Sequence, residues 1–267
     1  MRRTFEALTS VVSVTVDDDV PGHDTVSALV AAYPDSDRQP QLAFHLRGGA
    51  RPALVCRDRY ETPVEHRADL VPLFELDMYH LLVKLADPGW LLHAAALEHS
   101  GRVCVFAGPS GAGKTTLAIA LIERGWKLLT EEIVLVDREL GVRGLARPIH
   151  LKTERAFPPT WTHTEYCIRH DDGTLRHHIV QPPTSARITE RHPLHALVRI
   201  AHGADLANAL EIIPPHVAFM RLWECTLRQD DDGVAAATHV ISHRAPHALT
   251  SSAVADAVAS AEVLITS

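Results

Sequence analysis

Apolar and polar positions alternate with period two in short runs along the first third of the chain, the signature of half-buried strands. Val11-Val-Ser-Val-Thr-Val16 is a β-branched run that stops at the acidic turn Asp17-Asp18-Asp19. Gln41-Leu-Ala-Phe-His-Leu46 alternates until Gly48-Gly49. The period then lengthens. Leu70, Leu73, Phe74, Tyr79, Leu81, Leu82 and Leu85 recur at helical spacing, which predicts an amphipathic helix over 73–85, stopped by Asp87-Pro88-Gly89. Residues 1–86 are therefore expected to form a small N-terminal α+β unit.

Beyond Gly89 the texture changes. Trp90-Leu-Leu-His-Ala-Ala-Ala-Leu97 and Arg102-Val-Cys-Val-Phe-Ala107 read as strands around a turn at Ser100-Gly101, and the second runs into a glycine-rich loop. Residues 115–124 have helical periodicity, with Gly125 where a C-terminal capping glycine belongs. Lys127-Leu-Leu-Thr130 and Ile133-Val-Leu-Val136 are short strands. This strand–loop–helix–strand order is the phosphate-binding unit of an α/β protein, and 87–267 is read as one domain of that class. The stretch from 138 onward is rich in proline and predicts long ordered loops between short elements. Within it a strand over 194–201 and a helix over 253–261 are expected.

Composition narrows the classes. Of 267 residues, 46% are hydrophobic and 22% charged, ordinary for a globular protein. The net charge of −7, without a long basic run, argues against nucleic acid as a partner. Cys56, Cys104, Cys167 and Cys225 show no short metal-ligand spacing and fit reduced thiols in the cytoplasm. The 18 histidines are dispersed without zinc-type spacing. No stretch has the length of a membrane span, and the N-terminal residues carry no apolar core of a signal peptide.

One motif carries chemistry. Gly108-Pro109-Ser110-Gly111-Ala112-Gly113-Lys114-Thr115, followed by Thr116, fits G-x-x-x-x-G-K-[ST] at every defined position. The glycines let backbone N–H groups approach phosphate oxygens, and the helix that follows presents its positive end to them. Lys114 adds a charge at the β- and γ-phosphates, and the Thr115 hydroxyl is placed to ligate Mg²⁺. With average glycine usage of ~7%, a chance match is on the order of 1%. The motif alone therefore predicts nucleotide binding. Glu131-Glu132 follows the next strand, so paired carboxylates should emerge beside the loop. One could hold Mg²⁺ and the other accept a proton from an attacking hydroxyl. Asp137, after the following strand, is a rival metal ligand.

The segment 93–132 resembles the catalytic domain of bacterial HPr kinase/phosphorylase. It resembles more closely the HPr-kinase-like proteins found with lasso-peptide and related peptide-biosynthesis systems. The resemblance rests on His93-Ala-Ala-Ala-Leu97, the loop 108–115, Arg124-Gly125 and Glu131-Glu132, with matching intervals between them. It implies a P-loop kinase domain of HPr-kinase type. Glu132 falls on the proton acceptor, Lys114 on the phosphate lysine and Thr115 on the metal-binding hydroxyl. His93 falls on the histidine that tunes or orients the acid. It also implies a homo-oligomer assembled through this domain.

The chain departs from the family in having two glutamates where Asp-Asp or Asp-Glu is common. The E-[IV]-R-G signature is only echoed by Gly141-Val-Arg-Gly144, so metal binding would rely on Thr115 and Glu131. Arg143, Arg147 and Lys152 are candidates to steady phosphates. The expected activity is transfer of the γ-phosphate of ATP to a hydroxyl of a peptide or small protein, serine or threonine foremost. A small-molecule hydroxyl kinase and a nucleotide-binding regulatory protein without phosphotransfer are the alternatives.

Overall fold

In the computed structural model, which describes residues 1–151, 157–170 and 173–266, the chain begins with an antiparallel pair, β1 (Arg2–Ala7) and β2 (Ser10–Val16). A crossover through α1 (His23–Val30) places β3 (Leu42–Arg47) parallel to β2. β4 (Ala53–Cys56) and β5 (Tyr60–Pro63) complete a five-stranded sheet in the order β1-β2-β3-β4-β5. Helix α2 (Leu70–Leu85) buries Leu70, Phe74, Met78 and Leu82, one residue per turn at i, i+4 spacing. Phe74 meets Phe44 of β3 edge-on, with ring centroids 5.2 Å apart.

Next come β6 (Trp90–His99), β7 (Arg102–Ala107), α3 (Lys114–Glu123), β8 (Lys127–Thr130), β9 (Ile133–Val136) and β10 (Gly141–Gly144). β11 (Ile149–Leu151), β12 (Thr162–His170) and β13 (Gly173–Gln181) form a separate three-stranded sheet. β14 (His192–His202), β15 (Ala209–Ile212), α4 (Pro215–Trp223), α5 (Asp231–His243), β16 (His247–Ser251) and α6 (Val254–Thr266) follow. The protein is thus mixed α/β, with six α-helices among the described residues. None of the described helices is long and apolar enough to cross a membrane.

The chain divides into two compact units, Met1–Ala86 with Ala146–Pro183, and Asp87–Leu145 with Thr184–Ser267. The second part of the first unit differs from the expected division at residue 87, which puts 146–183 in the same unit as the glycine-rich loop. A buried cluster explains the grouping. Glu75 of α2 lies 3.1 Å from Arg147 Nη2 and 3.4 Å from His150 Nε2, and the Arg147 guanidinium lies over the Tyr79 ring. The proline-rich stretch also holds longer elements than predicted, because its prolines stand at element boundaries. Pro182 and Pro183 follow β13, and Pro215 opens α4, where a missing N–H costs nothing.

In the second unit the strands run β10-β9-β6-β7-β14-β16-β15, with β8 also paired to β6. β7, β14 and β16 are parallel, so their carboxyl ends lie side by side. β10 pairs with β14 as well as β9, which closes a ring of five strands. Leu92, Val105 and Leu197 from this sheet pack with Leu222 of α4 and Val240 of α5 in the buried core.

Candidate functional site

β7 ends at Ala107 and passes directly into the loop. Gly108 is required by its neighbour: a Cβ there would lie 2.8 Å from the Ile200 carbonyl oxygen of β14. Gly113 has φ +90, in the left-handed region open to glycine, and its carbonyl accepts from Leu117 N to start α3. The crest Pro109–Gly111 is exposed. Lys114 folds back beneath it, only 7% exposed, donating to Gly108 O at 2.7 Å and Pro109 O at 3.1 Å. Burial pushes its pKa down, against the opposing pull of Glu132 and Glu131.

The acidic pair sits at a break between two strands that share one neighbour. β6 pairs with β8 along Ala96–Glu98 and with β9 along Trp90–His93. Glu131 and Glu132 lie between these stretches, and Glu132 O accepts from Ala94 N at 3.1 Å. Ala94 is paired with Ala107, and Ala107 with Arg199. One rung of the sheet therefore joins the acidic break to the root of the loop, at roughly 5 Å per strand. From this break the two carboxylates reach different partners. Glu131, 4% exposed, accepts from the Thr115 hydroxyl at 2.8 Å. Glu132 Oε1 stands 3.4 Å from His93 Nδ1, and both side chains keep about a third of their surface in solvent.

Residues that no sequence motif marks complete this wall. Where β7 leaves β6 for the loop, residues 225–227 take over the vacated edge. His93 N donates to Cys225 O at 2.7 Å, and Leu227 N to Leu91 O at 2.9 Å. Cys225 is buried with its thiol against the Gly108 backbone, and burial pushes its pKa up. Arg199, on the same rung as Glu132, is held by Glu224 Oε1 at 2.7 Å and Arg221 O at 3.3 Å. No local pattern marks these positions. Their place depends on pairings between segments 92 (Ala107 and Arg199) to 136 (Leu91 and Leu227) residues apart.

Other candidates lie elsewhere. Asp137 is at the far end of β9, where its carboxylate accepts from Glu139 N and Gly141 N and pairs with Arg191 at 2.6 Å. It fastens a turn and is removed from the acidic pair by the length of the strand. A Cβ at Gly141 would lie 2.1 Å from Arg191 Cζ, so a side chain there would have to displace the guanidinium that holds Asp137. Arg143 is exposed on β10, paired with Leu135 of β9. Arg147 belongs to the Glu75 cluster of the first unit. Lys152 lies outside the described residues.

Among the described residues no three His, Cys, Asp or Glu side chains gather as a metal site. A donor set of one hydroxyl and one carboxylate nevertheless suits Mg²⁺, which keeps several waters and takes its remaining ligands from substrate phosphates. Thr115 and Glu131 fit that description.

No protein-family model matches the chain, and no curated protein matches it. Among solved structures it is similar to the HPr(Ser) kinase/phosphatase from Coxiella burnetii, at 12% identity and a TM-score of 0.32, covering 66% of this chain and 97% of that one. A likeness this loose adds nothing to the site, which rests on the geometry above.

Proposed function

We propose that the second unit is an ATP-dependent kinase that transfers the γ-phosphate to a hydroxyl, in a peptide or small protein bearing serine or threonine. One observation carries the reading. The buried lysine of a phosphate-binding loop, a hydroxyl–carboxylate pair and a solvent-accessible carboxylate beside a histidine converge on the end of β7.

Lys114 and the loop N–H groups bind the phosphates and orient the chain for in-line attack. Thr115 and Glu131 would hold Mg²⁺, which would supply neutralisation of phosphate charge. Glu132 accepts the proton of the attacking hydroxyl as the new O–P bond forms and ADP departs. His93, against Glu132 Oε1, orients that carboxylate.

The test pairs calorimetry of ATP binding with phosphate transfer to serine- and threonine-containing peptides. Glu132→Gln keeps its size but cannot take a proton, so transfer should fall by roughly 10²–10⁴-fold with ATP affinity little changed. Glu131→Gln should weaken Mg²⁺-dependent binding, recoverably at high Mg²⁺. If both variants match the wild type in both assays, the acidic pair is a solvated strand break and the kinase reading fails. ATP binding without transfer to any hydroxyl would favour a regulatory protein, the reading to which the Glu131-Glu132 departure points.

A further inference from the structure

The sheet order gives the bound nucleotide a direction. The acidic pair and His93 stand on the β6/β9 flank of the loop, and β14 and β16 lie on the opposite flank. If the γ-phosphate meets Glu131 and Glu132, the nucleotide must extend the other way. Its nucleoside end then falls over the carboxyl ends of the parallel strands β14 and β16, the end at which α/β sheets hold ligands.

His202 is the last residue of β14, paired with Ser251 at the end of β16. It is exposed and stands beside the loop: its Cβ would be 3.7 Å from a Cβ built at Gly113. Its Nδ1 is 2.9 Å from Ser251 O. A carbonyl can only accept, so Nδ1 carries the hydrogen, and in the neutral ring Nε2 is left as an acceptor. The rim around it is fastened down. Gly203 N donates to Ser251 O, Thr250 Oγ1 to Ala207 O, and Ser252 N to Asn208 Oδ1. Asn208 also donates to Asp256. With Asp205 in the same loop, the acidic side chains here disfavour further phosphate and suit an uncharged nucleoside.

We infer that His202 is a specificity-determining residue for the nucleoside, its Nε2 accepting a hydrogen bond from the base amine or the ribose hydroxyls. This rests on the nucleotide reading of the loop and extends it to the half of the ligand that the motif does not address.

Calorimetry with Mg-ATP and with Mg-tripolyphosphate, which shares the phosphates and lacks the nucleoside, separates the two ideas. His202→Ala should weaken ATP binding roughly threefold to tenfold, the worth of one hydrogen bond. Tripolyphosphate binding should stay within about twofold of wild type by the same measure. His202→Phe, a ring without nitrogens, should behave like the alanine variant. Equal weakening of both ligands, no weakening of either, or retention of ATP affinity by the phenylalanine variant would overturn the assignment. A wild-type protein that binds neither ligand would overturn the nucleotide reading itself, and the assignment with it.

Discussion

Two buried cations, one in each unit, show how differently a protein can keep a charge out of water. Lys114 and Arg147 are 7% and 8% exposed. Arg147 has a carboxylate at 3.1 Å and an aromatic face beneath it, so its charge is compensated inside its own unit. Lys114 donates instead to two neutral carbonyls of its own loop, and the acids nearby only offset part of its desolvation. An ammonium buried on neutral partners is a cost that packing alone does not explain. It is explained if an anion completes the site. On the proposed reading, the Arg147 cluster compensates its charge within the fold, whereas the Lys114 loop leaves compensation to a bound anion.

The largest expected effect follows from breaking the compensated charge. Arg147→Met should cost about 3–5 kcal/mol in urea denaturation, because Glu75 stays buried without the guanidinium. The folded variant should bind ATP as the wild type does. A loss of affinity matched by little loss of stability would mean that Arg147 handles phosphate after all.

The second effect is a pH dependence at Lys114. Its folded-state pKa lies below the ordinary value of 10.5, so the unfolded chain holds more protons between the two values. Stability from this group should therefore rise as pH climbs through the lowered pKa towards 10.5, and the rise should be missing in Lys114→Met. Denaturation midpoints measured from neutral to alkaline pH check the sign.

The smallest effect concerns Asp137, whose half-exposed position tempers its energetics. Burial acts against its charge, but Arg191 and the turn amides win, and its pKa is held low. Asp137→Asn should cost about 0.5–1 kcal/mol and leave Mg²⁺-dependent ATP affinity unchanged. Loss of metal dependence in that variant would restore Asp137 as a ligand.

What was legible in the sequence was local. The glycine spacing and the β-branched runs before it marked β7, the loop and α3, and the helical period marked α2 to within a few residues at its start. The acidic pair stood out because it interrupted two short apolar runs, which proved to share β6. What was not legible depends on distant pairing. Cys225 reaches His93 only because residues 225–227 fill an edge that β7 abandons, and Arg199 joins the rung only through the parallel β7/β14 register. Asp137 looked like a ligand because the sequence showed a carboxylate after an apolar run but not Arg191 waiting for it. The β12–β13 hairpin was hidden by its polar residues and by prolines that punctuate strands as readily as loops.

The central claim is that Lys114 is kept buried on neutral partners in order to hold phosphate, and thermal melts of wild type and Lys114→Met with and without Mg-ATP test it directly. Without nucleotide the variant should be the more stable, by about 0.5–2 kcal/mol, as when a functional strain is relieved. With saturating Mg-ATP the wild type should gain stability through binding, and the variant should respond little, its affinity down by roughly 10–100-fold for a lost charge-assisted bond. A variant that is destabilised without nucleotide and still stabilised by Mg-ATP like the wild type would contradict the account.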